Sequence, residues 1–424
     1  MVTSPSRFVG LDIGSTTIAA AAAEQIDRGT LALLGFEIAP SSQAASGRIE
    51  NPTALASTLK QVLARIARAT GEPVERVGLA IPGLKINTMY SSAERRWNTV
   101  ERVAADHVEE LQRQALHGPS TAGPVLASVP LAFEIDGRRT TEPPVGQPAR
   151  TLRVEVQTFV SPAEYVSQIV QLLAGIGVTP NVLVPRALAA AEAVLHESER
   201  RQSVVVIDIG GMSTEIAVFL HDQLRDLFSF PVGSRAITND IATVLGLPFP
   251  TAEQIKRAGF TDHRGASASP TTRQGTNDPL DARTFEFARE IADARLLQVF
   301  TRIRQRLNER DIGGRISSGA VVTGGGARVA GLESIARRAL DMPVRIGTAR
   351  TGDTHAAANG PEAAAVVGVV SVQAWLCPVE QSGPATEQPP VMPPVEEMQV
   401  RERAGKGPAF ARWLREFVPL GDEA

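Results

Sequence analysis

Apolar residues along this chain fall into short runs and spaced stripes that predict an alternation of strands and helices. Residues 8–11 form a brief apolar run ending in turn-forming residues at 12–17, and the alanine-rich stretch that follows suits a strand or a helix equally. Over 52–70 the apolar positions Leu55, Leu59, Val62, Leu63 and Ile66 recur at helical spacing, which predicts an amphipathic helix. Residues 77–81 read as a strand closed by Pro82 and Gly83. From about 84 to 164 the character changes to a polar helical segment at 100–116, a Gly/Pro loop, and strands at 125–135 and 152–160, together a small inserted α+β unit. A helix is expected at 163–175, and the β-branched run at 204–207 predicts a buried strand. Strands at 215–219 and 224–230 follow, turning at His221 and Asp222, and then helices at 237–245 and 253–257. A polar loop occupies 263–278 and a long helix 285–309; a strand at 320–322 then runs into a glycine triplet and a helix around 333–340. Beyond Trp375 the pattern stops. Residues 378–400 hold six prolines and four glutamates but no basic residue, the composition of an extended linker.

A chain of 424 residues has room for about two to four domain-sized units and a substantial core. Its 43% hydrophobic and 21% charged content is that of an ordinary folded protein, and a net charge of −3 supplies no global basic field for nucleic acid, so no nucleic-acid partner is expected. The single cysteine, Cys377, excludes an internal disulfide and a cysteine-cluster metal site, which suits a reducing cytoplasm, and the six histidines show no metal-ligand spacing. No signal-peptide stretch precedes the first motif, and no window approaches the roughly 18–20 apolar residues of a membrane span. The bulk of the protein is therefore expected in the cytoplasm. Only four of the 43 basic residues are lysines (Lys60, Lys85, Lys256 and Lys406), so each departs from a strong arginine preference.

Two versions of one phrase carry the candidate chemistry. Asp12, Ile13, Gly14, Ser15, Thr16 and Thr17 follow the first apolar run, while Asp208, Ile209, Gly210, Gly211, Met212, Ser213 and Thr214 follow the strand at 204–207. Glycine lets backbone N–H groups approach phosphate oxygens, Ser and Thr hydroxyls add donors, and an aspartate at a strand end can hold Mg²⁺ through its water shell. Facing each other, two such loops would clamp a triphosphate, with Asp12 and Asp208 as metal residues. Alone, either phrase could be a tight turn between strands. Their repetition, and a third cluster at Gly324, Gly325 and Gly326 where flat backbone could lie against a nucleoside, favour the nucleotide reading. No Walker-type lysine loop occurs, and no Gly-x-Gly-x-x-Gly fingerprint follows a strand near the N-terminus. Glu253 and Lys256 stand three apart on one helix face, either as a surface ion pair or as a carboxylate and an ammonium reaching ribose and adenine.

Near the end, Phe410, Trp413, Leu414 and Phe417 form one helical stripe with Arg412 and Arg415 off it, and residues 401–417 carry five basic and two acidic groups. Such a helix suits an anionic membrane surface; docking on a protein is the competing reading.

Phosphate loop one, phosphate loop two and an adenosine loop, in this order, resemble the actin superfamily, and within it the bacterial cell-division protein FtsA family. The resemblance is strongest at 205–260, where the second loop is followed by Phe230, Pro231, Val232 and Gly233, then Ile237, Thr238, Asn239, Asp240, Ile241 and Ala242, then Ala252, Glu253, Gln254, Ile255 and Lys256. Stretches 46–51, 131–137, 182–195, 323–332, 344–347 and 361–368 extend it. It implies an α/β, two-lobed actin-like ATPase fold with an inserted subdomain 1C in place of actin 1B. The implied divisions are 1–83 with 165–202 as subdomain 1A, 84–164 as 1C, 203–235 with 316–377 as 2A, 236–315 as 2B, 378–405 as linker and 406–424 as a membrane-targeting tail. It further implies ATP and Mg²⁺ as cofactors, roles for Asp12, Asp208 and Glu215 at the reacting phosphate, and Gly233 at the nucleotide. Implied partners are further copies of itself in a head-to-tail polymer, the FtsZ C-terminal peptide on 2B, later divisome proteins on 1C, and membrane lipid. The implied location is the cytoplasmic face of the membrane at the division site.

This chain departs from the family pattern at Met212 (for a third glycine), Glu215 (for an aspartate) and Thr17 (for a lysine), so at most slow hydrolysis is expected. The competing actin-like reading is a PilM-type pilus-assembly adaptor. A sugar kinase would need a second-substrate base that nothing marks, and a DnaK-type chaperone would need a further β-rich domain where only linker and helix remain.

Overall fold

The computed structural model describes residues 7–27, 30–41, 44–45, 48–258, 282–350 and 358–376. Its first sheet begins with β1 (Arg7–Ile13), β2 (Thr17–Asp27) and β3 (Thr30–Pro40). After the small ladder β4 (Ala44–Ala45) and β5 (Arg48–Ile49) comes α1 (Pro52–Thr70), then β6 (Arg76–Ile81). The N-terminus of α1 is fixed by the Asn51 side chain, which accepts from the Ala54 amide, and its C-terminus by Gly71 in the left-handed region. The alanine-rich stretch is the strand β2. Ala20 and Ala22 face the α1 side of the sheet and Ala19, Ala21 and Ala23 the other, so small side chains let helices close on both faces.

The inserted unit follows as β7 (Asn87–Arg102), α2 (Ala105–Ala115), α3 (His117–Ser120), β8 (Val125–Ile135), β9 (Arg138–Thr140) and β10 (Pro148–Val160), a sheet of order β7-β10-β8-β9. Residues 100–102, expected to be helical, are the end of β7, and the helix starts only at Ala105. β7 is an edge strand with solvent on most of its side chains, so it lacks the period-two apolar signal that marks a half-buried strand. After α4 (Ala163–Ala174) the chain returns to the first sheet as β11 (Thr179–Pro185), completing the order β11-β6-β1-β2-β3.

The second lobe repeats that plan. Leading into it are α5 (Arg186–Val194) and α6 (Glu197–Gln202), and it comprises β12 (Val204–Ile209), β13 (Thr214–Leu220), β14 (Gln223–Phe230), α7 (Ser234–Leu245), α8 (Phe249–Ala258) and α9 (Ala282–Glu309). Its sheet is completed by β15 (Ala320–Thr323) and β16 (Val344–Ile346), with α10 (Leu332–Leu340) between them, and α11 (Ala364–Leu376) then packs back on β1, β2 and β6 of the first sheet. Its sheet runs β14-β13-β12-β15-β16, so β12 occupies the place of β1, with an antiparallel hairpin partner on one side and a parallel strand on the other.

The helices α5 and α11 join the lobes through one apolar core that includes Ala21 from the first sheet and Val206 and Ala217 from the second. Neither helix shows an amphipathic stripe, because both are buried almost all round. A buried Asp226 on β14 accepts hydrogen bonds from Gln157 of β10 at 3.0 Å and Arg310 at 2.5 Å, tying the inserted sheet to the second lobe. The expected polar loop at 263–278, the linker at 378–405 and the tail at 406–424 lie outside the described residues.

Where α5 crosses α11, a Cβ on Gly368 would stand 1.7 Å from the Ala189 carbonyl oxygen, a backbone atom that cannot step aside. Gly368→Ala should therefore lower stability by about 1–3 kcal/mol, the usual cost of overpacking. Denaturant unfolding checks this, and an unchanged midpoint would mean that the crossing can relax.

Candidate functional site

The two Asp-Ile-Gly phrases turn alike. Gly14 N–H donates to the Thr17 carbonyl at 2.9 Å between β1 and β2, and Gly210 N–H donates to the Ser213 carbonyl at 2.8 Å between β12 and β13. Asp12 pairs with Ala80 of the parallel neighbour β6, as Asp208 pairs with Thr323 of β15. The loops also meet. A Cβ added to Gly211 would lie 2.4 Å from Thr16 Cγ2 and 3.0 Å from Ser15 Oγ, so glycine here permits direct approach of one loop to the other. Behind the second loop, Gly233 passes so close that a Cβ would strike the Gly210 and Gly211 carbonyls. The Ser234 and Arg235 amides at the start of α7 donate to these same two carbonyls, each at 2.8 Å, and Thr214 Oγ1 donates to the Val232 carbonyl.

Between the loops lies a residue that the motif reading did not single out. Arg186, the first residue of α5, donates from Nε (2.9 Å) and Nη2 (2.7 Å) to Oδ1 of Asp12, from Nη1 (3.2 Å) to Oε1 of Glu215, and from Nη2 to the Ile13 carbonyl. Its side chain is only 9% exposed. Burial alone would lower the guanidinium's pKa, but Asp12, Glu215 and Asp208 outweigh it and hold the group charged. Glu215 sits opposite Asp208 on the paired strand β13, and Ser213 Oγ donates to it at 3.1 Å. Burial raises Glu215, with Arg186, the Gly83 amide and Ser213 opposing. Asp208 is pushed up to about 7 by burial and by Glu215, with Arg186 pulling the other way. Burial also raises the Tyr165 phenol, to about 12, within the field of Arg186, and Lys85 Nζ lies 5.5 Å from the Tyr165 ring.

A Mg²⁺ ion at Asp12 and Asp208 does not fit these residues. Oδ1 of Asp12 already receives two N–H groups from Arg186, and a second cation between the carboxylates would meet the fixed charge of the first. Among the described residues, no group of three or more His, Cys, Asp or Glu is arranged to hold a metal ion.

The glycine triplet backs the second loop. Gly324 adopts φ +83°, where a Cβ would meet Asp208 Oδ1 at 2.0 Å, and Gly326 packs on Ile209, while Gly325 faces open space. Glu253 and Lys256 are no loose surface pair. Lys256 Nζ meets Glu253 Oε2 at 2.7 Å, Thr238 Oγ1 at 2.7 Å and the Ser234 carbonyl at 3.2 Å, and Thr238 donates to Glu253. All three ammonium protons are thus matched with oxygens that clamp α8 to the first turns of α7. Phe410, Arg412, Trp413, Leu414, Arg415 and Phe417 lie outside the described residues. Arg186 escaped the sequence reading because it opens an alanine run, and its carboxylate partners are 174 and 29 residues away.

Comparison with known proteins bears on the whole chain. A family model described as cell division protein FtsA matches residues 205–368. FtsA of Neisseria meningitidis is 24% identical over 420 residues, covering 96% of this chain and 97% of that protein. FtsA of Pseudomonas aeruginosa is 26% identical over 351 residues, 82% and 84% of the two chains. In three dimensions the chain resembles a PilM-PilN type IV pilus biogenesis complex with a TM-score of 0.59 at 18% identity, covering 86% of this chain and 98% of that one. The fold is actin-like, and the resemblance to FtsA holds over most of the length.

The buried carboxylates make stability depend on pH. Asp208 holds its proton to about pH 7 in the folded protein but ionises near pH 3.9 when unfolded, so between those values the folded state binds more protons and stability falls as pH rises. Glu215 acts in the same direction. In EDTA without nucleotide, Asp208→Asn should raise the melting temperature at pH 8 and do so much less at pH 5. An effect independent of pH would contradict a protonated Asp208.

Proposed function

We propose that this chain, a relative of the cell-division protein FtsA, is an actin-like nucleotide-binding adaptor of the division machinery. The observation that carries this reading is the approach of two equivalent Asp-Ile-Gly hairpins, one from each lobe, at Ser15, Thr16 and Gly211. ATP is the proposed ligand. Its phosphates would be gripped by the backbone amides and hydroxyls of Gly14, Ser15, Thr16, Thr17, Gly210, Gly211, Ser213 and Thr214. The nucleoside would lie along Gly324, Gly325 and Gly326, against a wall that Gly233, Glu253 and Lys256 stiffen.

The binding state of the cleft would set the angle between the lobes, and through it head-to-tail assembly with further copies. Hydrolysis is proposed to be slow: Glu215 and Asp12 are tied to Arg186, and neither is free to take a proton from an attacking water. FtsZ is the proposed partner, its C-terminal peptide docking on residues 236–315, with other division proteins on the inserted unit at 84–164. Among the described residues no helix is long and apolar enough to cross a membrane. Attachment to the cytoplasmic face is therefore assigned to the tail, with Phe410, Trp413, Leu414 and Phe417 in the headgroup layer and Arg412 and Arg415 toward anionic lipid. One such helix binds weakly, and a polymer would present many at once.

Co-pelleting with anionic vesicles tests the proposal. The full chain with ATP should sediment with vesicles and carry FtsZ with it, whereas a chain ending at Glu397 should leave both in solution. Unchanged sedimentation of the shortened chain would remove the anchor from the tail, and failure to recruit FtsZ would favour a PilM-like role.

A further inference from the structure

Arg186 sits where the two lobes exchange charge. Its side chain is 9% exposed, and its donors reach Asp12 in the first loop and Glu215 beside the second, with Asp208 in the same field. A cation at the first residue of a helix stands at the unfavourable end of the helix dipole, so something other than α5 must hold it there, and these carboxylates do. The other cations nearby are otherwise engaged or set apart. The first loop carries the neutral Thr17, the Lys256 ammonium is saturated by Glu253, Thr238 and the Ser234 carbonyl, and Lys85 lies against Tyr165. Three carboxylates and an incoming triphosphate would otherwise face one another without a counter-charge.

We infer that Arg186 is the resident counter-ion of the cleft, standing in for a divalent metal, so that the protein binds a nucleoside triphosphate without requiring a metal ion on it. This rests on the nucleotide-binding reading above. A guanidinium is suited to the task, because it stays charged when buried and its planar fork spans two carboxylates that an ammonium could meet only one at a time. Its hold on Asp12 engages Oδ1, one of the two oxygens with which that residue could orient the water shell of Mg²⁺, and places a fixed positive charge beside the other. The protein would then bind free and metal-complexed nucleotide about equally well, an indifference set by this one side chain.

The experiment is a titration of the full chain with a fluorescent N-methylanthraniloyl-ATP, in excess EDTA and in millimolar Mg²⁺. The wild-type Kd should differ by no more than about threefold between the two, and Arg186→Gln should bind at least roughly tenfold more tightly with Mg²⁺ than in EDTA, because Asp12 and Glu215 are then left for the metal to neutralise. Arg186→Lys, which keeps the charge but not the fork, should fall between them. Wild-type binding that weakens tenfold or more in EDTA would overturn the inference and leave the nucleotide reading intact. A wild-type protein that melts cooperatively yet binds the probe in neither buffer would overturn both. The wild-type comparison stands even if a variant does not fold.

Discussion

The guanidinium of Arg186, buried among Asp12, Glu215 and Asp208, is the interaction on which the cleft depends. Breaking a buried ion pair by removing one partner commonly costs about 3–5 kcal/mol, since the remaining charge is left in a poor solvent. Here the loss would fall on both lobes, because Asp12 belongs to the first sheet and Glu215 to the second. The register of the two loops is therefore fixed in part by protein side chains. A charged clasp supplies that register, and Gly211 allows the backbones to meet beside it.

The rest of the architecture can be understood as placing that clasp. Two sheets of matching order bring their equivalent hairpins to the same boundary, and α5 leaves β11 directly at Pro185, so its first side chain projects there. The second loop is braced from behind by the α7 amides, and α7 in turn is held by the Lys256, Glu253 and Thr238 network. Each shell of hydrogen bonds restrains the one inside it, which is how a loop rich in glycine keeps one conformation.

Most of this scaffold was legible in the chain itself, where a local signal existed. α1 spans the same 52–70 that its apolar spacing predicts, β8 the same 125–135, and the turn at His221 and Asp222 is present with both residues at positive φ. The repeated Asp-Ile-Gly phrase pointed to the paired hairpins because both copies carry the same turn chemistry. β7 was missed over residues 100–102 because an exposed edge strand has no apolar alternation, and α5 and α11 because burial on all sides erases the stripe that reveals a helix. Arg186 was hidden for another reason: its role exists only through partners distant in sequence. Lys256 illustrates the reverse, since a scarce lysine at helical spacing from a glutamate stands out in the chain, but only the fold shows that its ammonium is fully matched.

The close crossing of α5 and α11 has a mechanical side. With Gly368 resting on the Ala189 carbonyl, the two helix backbones meet directly at that point, with no side chain between them there. Backbone contact of this kind resists displacement of one helix against the other, because neither backbone can turn aside as a side chain would. A shift of α5 at its Arg186 end would then be passed to α11 at this crossing instead of being absorbed by a rotamer change between them.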